Sequence, residues 1–581
     1  MWNMSGKQYR EETSRRISWG HWFAFFNILW AIIVGARYAF LIDWPDTLFG
    51  KIYFFISLLG HFSFIVFAAY LLIVFPLSFL IKNHRTFRGL SVIIATLCAT
   101  LLLFDTQVFA NFNFHLSSVV WNLLINPENG DLSSNWQIFF APMPLILLVE
   151  MLFSRWSWEK LRSLERQKWL KFVGLFFVCT FMATHLLYAW ADAYLYRPIT
   201  MQKSNFPLSY PMTARSFLEK HGIIDGEQYS QRLEQEGRPE ALKLDYPKQT
   251  IRFGEVQKPA NLVFISIAGL RHDAVEPNAM PSLSQFAEQS TYFTNHYSSG
   301  NDINAGVTGL FYGLSANYAD SILQQKTPSI LLKRLQQDNQ YQLGLFSSNK
   351  FAASLFSRAL LPKVKIDKQS TNNQNEINRF KNWLINAQQQ ARPYFGYLDL
   401  YIKEGLSPEA YVSQLVELDR LLGNLLPEIE RENTLIIITA EQGYSFSHLN
   451  ERARSNYFAR EQIQVPMIVH WQDLPAGKVD KLTSHLDLLP AIMKHLFKVE
   501  NPIRDYAQGR DLFDLKGSAD WVLAGNYRWN VIITPEGEQY HIDTRGNYQE
   551  YDRDYQKVQS KRPPLGLFLE VFNQENSFME K

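Results

Sequence analysis

Five long apolar segments in the first 193 residues limit how this chain of 581 residues can fold. They lie at about 20–42, 53–81, 89–110, 137–154 and 170–193, and the fourth is the shortest. A helix needs about 20 mainly apolar residues to cross a hydrocarbon layer, and these segments have about that length. A soluble helical core is excluded because so short a stretch holds too little polar surface to cover five such helices. The sequence therefore predicts an all-α bundle of five transmembrane helices over residues 1–193.

Basic residues are distributed unevenly between these segments. Clusters of Lys and Arg precede the first segment, separate the second from the third, and separate the fourth from the fifth. The gaps at about 43–52 and 111–136 contain a single basic residue, Lys51. Because Lys and Arg are enriched on the cytoplasmic side, this pattern predicts a cytoplasmic N-terminus and, after five crossings, an exported remainder. In a bacterium the exported part would lie in the periplasm, anchored to the inner membrane by helices that carry no signal-peptide cleavage site.

Composition indicates how the exported part is stabilised and which class of partner it lacks. The two cysteines, Cys98 and Cys179, both lie in predicted membrane helices, so no disulfide framework is available outside them. About 325 residues must therefore be held by an ordinary hydrophobic core. The net charge of +2 is uninformative as a global figure, and the lack of a basic stripe interleaved with aromatic residues predicts no nucleic-acid partner. His61 and His185 lie within apolar segments and are predicted to be helix-packing hydrogen bonders, with a proton relay as the alternative.

Apolar strands alternate with helical patterns from Asn261 onwards. Strands are predicted at 261–267, 342–346, 394–400, 434–439 and 466–471. This order is typical of a doubly wound α/β sheet, which would occupy residues 261–581. The segment after Trp521 predicts further strands in a final hairpin sheet.

Residues 194–260 form a linker that is not of low complexity. Pro211 and Gly222 predict the start and the end of a short helix within it. Free amides at the helix start and nearby polar side chains would make a phosphate site at the height of the lipid headgroups, and simple contact with any anionic lipid is the alternative. The side chains available for this contact are Thr213, Arg215, Arg197 and Lys203.

Three stretches resemble the alkaline phosphatase and sulfatase superfamily. Residues 261–271 resemble its opening strand, which usually has Asp where Ala268 stands. Residues 434–443 resemble its second metal strand, whose usual Asp-His pair is here Glu441-Gln442. Where members often place a further His, the chain has Arg460, and the loop of the nucleophile corresponds to one that contains Ser298 and Ser299.

The resemblance implies the fold of a hydrolase without its chemistry. Two-metal hydrolysis needs carboxylates and neutral imidazoles, whereas a methyl group donates nothing and a guanidinium repels a cation. A serine without a metal or a base is a poor nucleophile. We therefore predict a pseudoenzyme with no catalytic residue, no metal and no cofactor. The alternative is a metal-dependent periplasmic phosphatase or lipid headgroup transferase, with a weak Mg²⁺ site built from Glu441, Asp273, Asp302 and Asp399.

The whole chain resembles the YejM family, also called PbgA or LapC. The stretches that carry this resemblance are 18–24, 60–64, 196–201 and 207–215. The resemblance implies a sensor of lipopolysaccharide in the periplasmic leaflet of the inner membrane. It also implies that the transmembrane helices restrain LapB, which otherwise directs the protease FtsH against LpxC, the deacetylase that commits lipid A synthesis.

The same resemblance places a lipid A phosphate contact on the linker helix. The matching residues are Thr213 and Arg215, with Met212, Ala214 and Ser216 beside them. Some members carry a second Arg where this chain has Ser216, so Arg197 or Lys203 would substitute for it. Transport of cardiolipin to the outer membrane is a further alternative for the family, and no motif in this sequence supports it.

Overall fold

The computed structural model describes residues 6–112, 115–116, 140–160, 168–241, 243–337, 340–362, 372–447, 455–543, 546–558 and 564–580. The chain divides into two compact units, Met1–Tyr229 and Ser230–Glu580.

The first unit is helical throughout its described part. Its helices are α1 (Gly6–Gly35), α2 (Leu48–Ala69), α3 (Phe75–Leu80), α4 (His84–Phe112), α5 (Met143–Lys160), α6 (Lys168–Ala193), α7 (Arg197–Thr200) and α8 (Arg215–Lys220). A 3₁₀ turn at Ala36–Phe40 extends α1, and a π-helical turn at Tyr70–Val74 joins α2 to α3.

Within the described residues, four helical stretches are long and apolar enough to cross a membrane. They are Gln8–Phe40, Leu48–Leu80, His84–Ala110 and Phe172–Ala193, and they coincide with the first, second, third and fifth predicted segments. The fourth predicted segment begins at residues outside the described part. Its described part is α5, which has 18 residues and several charged side chains, so a fifth crossing stays a prediction.

Helix α1 begins well before the predicted start near residue 20. Its polar first turns remain helical because the buried guanidinium of Arg16 satisfies oxygens around it. Arg16 donates to the main-chain oxygens of Ser78 and Lys82 over 2.8 and 3.0 Å, and to the Thr13 hydroxyl over 2.7 Å. The carbonyls at the end of α3 are thereby capped by a cation.

Close helix contacts in this unit depend on small and aromatic residues. A Cβ on Gly60 of α2 would lie 2.8 Å from the backbone of Phe181 in α6, so only glycine permits this approach. At α1, the buried Trp19 ring stacks on Phe23 with centroids 4.8 Å apart and donates its Nε1–H to the Ser154 carbonyl of α5 over 3.0 Å. The bundle is therefore held by van der Waals packing together with hydrogen bonds between helices.

The second unit alternates strands with helices. Helix α9 (Gly226–Glu236) contains the boundary between the units. The strands are β1 (Asn261–Ala268), β2 (Thr291–Phe293), β3 (His296–Tyr297), β4 (Gln342–Ser347), β5 (Tyr394–Tyr401), β6 (Thr434–Thr439), β7 (Met467–His470), β8 (Gly477–Val479), β9 (Thr483–Ser484), β10 (Val522–Gly525), β11 (Trp529–Ile533), β12 (Gln539–Asp543), β13 (Tyr548–Tyr551) and β14 (Lys557–Val558). The helices are α10 (Pro281–Glu288), α11 (Ile303–Tyr312), α12 (Ala319–Gln325), α13 (Ile330–Gln336), α14 (Asn373–Gln388), α15 (Pro408–Leu425), α16 (Arg460–Ile463), α17 (Leu488–His495) and α18 (Leu565–Glu575).

Seven strands form the central sheet in the order β4-β5-β1-β6-β7-β2-β8. Strands β4, β5, β1 and β6 are parallel, whereas β7 runs antiparallel to both β6 and β2. The side chains of β1 alternate between two hydrophobic clusters. Phe264 packs with residues of α11, α13 and α17 on one face, and Ile265 packs with residues of α10, α14 and α15 on the other.

This architecture confirms the predicted α/β fold and all five predicted strands of the large sheet. The prediction that strands follow Trp521 is also confirmed, because β10 to β14 form a separate antiparallel sheet of five strands. The short strands β2, β3, β8 and β9 were not predicted. Each has only two or three residues, and runs this short do not produce a recognisable apolar period.

Replacing Phe264 by Ala is expected to lower the free energy of unfolding of the second unit by about 3–5 kcal/mol, the usual cost of a large cavity in a core. The ring is fully buried, with centroids 5.5 Å from Phe311 and 5.4 Å from Tyr397. Pulse proteolysis of the full chain in detergent and urea measures the change. The control is Val416→Ala, because the Val416 side chain is 51% exposed. Equal effects of the two substitutions would contradict the packing described for β1.

Candidate functional site

The candidate site lies where β1 and β6 end. Gly269 follows β1 with a positive φ of 89°, which glycine adopts without strain, and its N–H donates to the Gln442 carbonyl over 3.0 Å. Ala268 and the Glu441-Gln442 pair are therefore neighbours, as the resemblance implies. Carboxyl ends of parallel strands are the usual place for ligands in such sheets.

Both candidate nucleophiles are enclosed. Ser298 and Ser299 are fully buried. The Ser298 hydroxyl donates to the Glu441 carbonyl over 2.5 Å, and the Ser299 hydroxyl donates to the Ala305 carbonyl over 2.5 Å. Each hydroxyl thus donates its hydrogen bond to a main-chain oxygen and not to a base that could activate the serine.

Amide and guanidinium groups surround these serines. The Nε2–H of Gln462 in α16 donates to the side-chain oxygen of Gln442 over 3.4 Å and to the Asn301 carbonyl over 3.2 Å. Arg460 at the start of α16 donates its Nε–H to the side-chain oxygen of Gln464 over 2.7 Å. Sequence reasoning missed Asn301 and Gln462, because an amide in a loop carries no periodic or spacing signal.

Charged side chains of both signs lie around His272. Burial, reinforced by the charges of Arg460 and Arg271, lowers the pKa of His272 to about 4, although Asp273 and Glu461 oppose this shift. His272 is therefore neutral at physiological pH.

The four carboxylates that could rebuild a Mg²⁺ site are each engaged elsewhere. Asp273 accepts two hydrogen bonds from Arg271 over 2.8 and 2.7 Å. Asp302 caps α11 by accepting from the Ala305 N–H over 2.9 Å, and Asp399 accepts from the Ser347 hydroxyl over 2.5 Å.

Glu441 accepts from the Tyr397 hydroxyl over 3.4 Å, and its carboxyl group is buried. In the described ranges, no three His, Cys, Asp or Glu side chains come together as ligands for a metal ion. The donor set at this site, with Ala268, Gln442 and Arg460 at the ligand positions, does not fit the two-metal centre that the superfamily implies.

Asp399 and Glu441 form an acidic pair in the core. Burial raises the pKa of both carboxyl groups, and the charge of Glu441 raises the pKa of Asp399 further. Two carboxyl groups so close in a dry interior cannot both ionise at little cost. The pair therefore carries less negative charge than two ordinary carboxylates would, which makes it a weaker ligand for a cation.

The linker residues with a predicted lipid contact lie mostly on the surface. Met212, Thr213, Arg215 and Ser216 are exposed, and Ala214 is half-buried. Arg215 pairs with Glu219 over 3.2 Å, and its guanidinium lies 4.9 Å from the centroid of the Tyr229 ring. The exposed residues form one continuous stretch of chain.

Helix α8 begins at Arg215 rather than at Pro211, so the predicted helix start is wrong by one turn. Residues 211–214, ahead of this start, are not helical, and the Met212 N–H among them donates to Nδ1 of His185 over 3.0 Å. Gly222 has a φ of 68° and ends the helix as predicted.

The other two basic candidates have different surroundings. Lys203 is exposed, whereas Arg197 is half-buried at the start of α7. Burial lowers the pKa of Arg197, and the nearby carboxylates of Asp46 and Asp43 oppose that shift. The charge of Arg197 is therefore partly balanced by acids within the same unit.

Replacing Glu441 by Gln is expected to stabilise the second unit increasingly as the pH rises. A carboxyl group whose pKa is raised by folding stabilises the fold below its unfolded pKa, about 4.3, and this stability is lost as the pH rises through the folded value. Gln has no proton to lose. Unfolding by urea from about pH 5 to about pH 8 should show the gap between variant and wild type widening.

Glu417→Gln is the control, because this side chain is exposed on α15. A gap for Glu441→Gln that stays constant with pH would show that the Glu441 carboxyl group ionises in the folded protein as it does in the unfolded chain.

Known proteins and families resemble the chain in both units. A family described as "Domain of unknown function (DUF3413)" matches residues 6–253, and the Sulfatase family matches residues 362–499. A solved protein in the alkaline phosphatase superfamily from Vibrio parahaemolyticus has a TM-score of 0.45 at 13% identity, with 62% of this chain and 98% of that chain covered. The lipoteichoic acid synthase LtaP from Listeria monocytogenes has a TM-score of 0.42 at 13% identity, with 57% and 93% covered.

Two full-length relatives are much more similar. An uncharacterized protein of Haemophilus influenzae is 62% identical over 579 residues, which are 99% of this chain and 98% of that protein. The inner membrane protein YejM of Salmonella typhimurium is 40% identical over 587 residues, with 99% of both chains covered. With this identity along its whole length, the chain belongs to the YejM family of inner membrane proteins.

Proposed function

We propose that this inner membrane protein senses lipopolysaccharide in the periplasmic leaflet and regulates lipid A synthesis. In this proposal it restrains LapB through its transmembrane helices and so controls the degradation of LpxC by FtsH. The second unit has the sulfatase and alkaline phosphatase fold and acts in the periplasm as a non-catalytic domain.

The observation that carries the proposal is an apolar and cationic strip on the linker. We call it the linker strip. Its apolar side chains are those of Leu208, Tyr210, Met212, Phe217 and Ile223, and their exposed fractions are 71, 64, 46, 60 and 56%, respectively. Exposed apolar patches of this kind mark interaction surfaces. The exposed guanidinium of Arg215 lies in the same stretch and supplies a charge for a phosphate.

A lipid fits this strip better than a soluble anion does. The strip follows α6 in the chain, and α6 exposes apolar side chains such as Leu186 and Trp190 close to its end. The outward apolar surface of the membrane helices thus continues into the linker. A ligand with acyl chains and a phosphate, such as lipid A, satisfies both the apolar side chains and Arg215.

Charge supports the proposed orientation. Basic residues lie near the start of α1, in the turn from α3 to α4 and at the end of α5. Residues 41–47, between the 3₁₀ extension of α1 and the start of α2, contain Asp43 and Asp46 and no Lys or Arg. The positive-inside rule then places the linker on the periplasmic side. This orientation requires α5 to complete a fifth crossing.

Regulation follows if lipid binding favours one of two arrangements of the helices. A ligand shifts such an equilibrium only by the difference in its affinity for the two states. We propose that the lipid-bound arrangement holds LapB weakly. When lipopolysaccharide accumulates, LapB is released, LpxC is degraded and synthesis slows. The part played by LapB rests on membership of the family.

Arg215→Ala is expected to weaken lipopolysaccharide binding about ten- to a hundredfold, since a hydrogen bond to a charged group contributes roughly 1.5–3 kcal/mol. In cells depleted of the wild-type protein, this variant should keep LpxC high when lipopolysaccharide is in excess. Arg232→Ala is a matched control, because Arg232 is equally exposed and pairs with Glu236 at the same helical spacing. Normal LpxC control by Arg215→Ala would count against the linker strip as the sensor.

Cardiolipin also combines acyl chains with phosphates, so the binding assay should include it. Full-length protein in nanodiscs is titrated with lipopolysaccharide and, separately, with cardiolipin. Lipopolysaccharide sensing predicts that Arg215→Ala weakens the first titration more than the second. A preference for cardiolipin, together with LpxC levels that do not change on depletion, would favour transport.

The non-catalytic assignment predicts that Ser298→Ala and Ser299→Ala each leave LpxC control unchanged. Elemental analysis of the purified full-length protein should find far less than one metal ion per chain, because Ala268, Gln442 and Arg460 supply no suitable donors. The enzyme alternative would be favoured if the protein bound about one metal ion per chain and had a phosphatase activity that either serine substitution abolished.

A further inference from the structure

Three histidines from different membrane elements contact one short stretch of the linker. His61 of α2 donates its Nε2–H to the Pro207 carbonyl over 2.8 Å. His115, which follows α4, donates from Nε2 to the Ser204 carbonyl over 2.9 Å. His185 of α6 accepts from the Met212 N–H over 3.0 Å. The main chain between Ser204 and Met212 is therefore bound to three separate parts of the bundle.

His115 is itself anchored to the bundle through Asp105. Nδ1 of His115 lies 2.6 Å from Oδ2 of Asp105, and the carboxylate also accepts from the Tyr38 hydroxyl. Its other oxygen accepts from the Leu116 N–H over 2.5 Å. A displacement of α1 or α4 would therefore shift His115, and with it the hydrogen bond to the Ser204 carbonyl.

Phe206 lies inside an aromatic cage in the middle of this stretch. It is 3% exposed, and its ring centroid is 5.3 Å from Phe62 and 5.4 Å from Phe54. The ring is also 5.8 Å from Tyr38 and stacks on His61 at the same distance. The cage joins side chains of α2 to Tyr38, in the 3₁₀ extension of α1, so the linker residue Phe206 completes the packing between them.

Leu208 lies between these contacts and has a left-handed backbone with a φ of 57°. This conformation is disfavoured for a residue other than glycine, because the Cβ atom lies too close to the following carbonyl oxygen. Its side chain is exposed and belongs to the linker strip, so no packing of that side chain offsets the strain. Strain of this kind persists only where neighbouring contacts hold the backbone, and the histidine contacts flank it on both sides.

We propose that His61, His115 and His185 form a clamp that couples the linker strip to the membrane helices. With the clamp closed, the stretch 204–212 is fixed and Phe206 fills its cage. A lipid that pulls the linker strip towards the membrane opens the clamp, relieves the strain at Leu208 and empties the cage between α1 and α2. The three histidines are positioning residues, and this regulatory role rests on the proposed function.

Matched substitutions separate the hydrogen bonds from the space that the rings fill. His185→Leu removes the acceptor for Met212, whereas His185→Asn retains a side-chain oxygen that can accept. His61→Leu removes the donor to Pro207, whereas His61→Gln retains an N–H that can donate. Hydrogen–deuterium exchange is measured on the full chain in phosphatidylethanolamine and phosphatidylglycerol nanodiscs, with and without lipopolysaccharide.

In the absence of lipopolysaccharide, both Leu variants should exchange the amides of residues 204–212 roughly three- to tenfold faster than wild type, as expected for one lost hydrogen bond. The Asn and Gln variants should remain close to wild type. Lipopolysaccharide should accelerate the same amides in the wild-type protein and add little in the Leu variants. In cells, the Leu variants should show low LpxC even when lipopolysaccharide is scarce.

The possible outcomes distinguish the proposed histidine clamp from the proposed sensing of lipopolysaccharide. Suppose that the wild-type protein binds lipopolysaccharide and that the amides of residues 204–212 exchange as slowly in the Leu variants as in wild type. The clamp proposal is then wrong, whereas the proposed sensing function is retained. Unchanged exchange of 204–212 when lipopolysaccharide binds also overturns the clamp. If the wild-type protein binds no lipopolysaccharide, the proposed function and the coupling both fall. Leu and conservative variants that behave alike would show that the rings act through packing and not through hydrogen bonds, which again overturns the clamp.

Discussion

The need to bury both faces of β1 organises the second unit. Its sequence is apolar at almost every position, so neither face can be left in water, and helices must cover both. Parallel pairing with β5 and β6 then brings the carboxyl ends of three strands to one edge. The positions of Ala268 and Glu441 follow from this arrangement whether or not the edge performs chemistry.

At that edge, several polar side chains are engaged in hydrogen bonds within the unit. The hydroxyls of Ser298 and Ser299 tie loops to main-chain carbonyls, and Glu441 meets Tyr397. Active sites usually retain strained or unpaired polar groups at a cost in stability. Here the serine hydroxyls are both satisfied. Burial raises the pKa of the Asp399 and Glu441 carboxyl groups, and among the described residues Oε2 of Glu441 has no hydrogen-bond partner. Such an edge suits a domain that holds a shape or presents a surface.

In the first unit, the polar groups near the ends of the membrane helices are directed inward. Asp105 is buried and receives hydrogen bonds from Tyr38 and Leu116, and Glu150 accepts from Asn27 over 3.0 Å. Polar groups inside a bilayer region are costly unless they are paired, so such pairs set how the helices pack. The contacts of His61 and His185 extend this network to the linker, which joins the lipid-facing surface to the interior of the bundle.

Local patterns in the sequence determined most of the architecture. Long apolar runs, charge alternation and continuous β-branched strands indicate membrane helices and a buried parallel sheet because burial acts on each segment separately. They also indicated which positions of a metal site had changed, since the methyl group at residue 268 offers no ligand atom in any fold and the side chain at 442 offers a neutral amide oxygen in place of an imidazole. Boundaries were less predictable. α1 is helical through its polar residues ahead of the apolar run, where Arg16 donates to carbonyl groups more than sixty residues away in the chain.

Only the tertiary structure decided which groups meet. No spacing rule brings His115 to Ser204 or His185 to Met212, because these contacts join residues separated by 89 and 27 positions. His61 and His185 were predicted to be hydrogen bonders within the helices, and their partners proved to be linker backbone. Helix α8 starts four residues after Pro211, and the Met212 N–H between them bonds to His185 of α6. Long-range partners depend on how separate elements pack, and that information is spread over the whole chain.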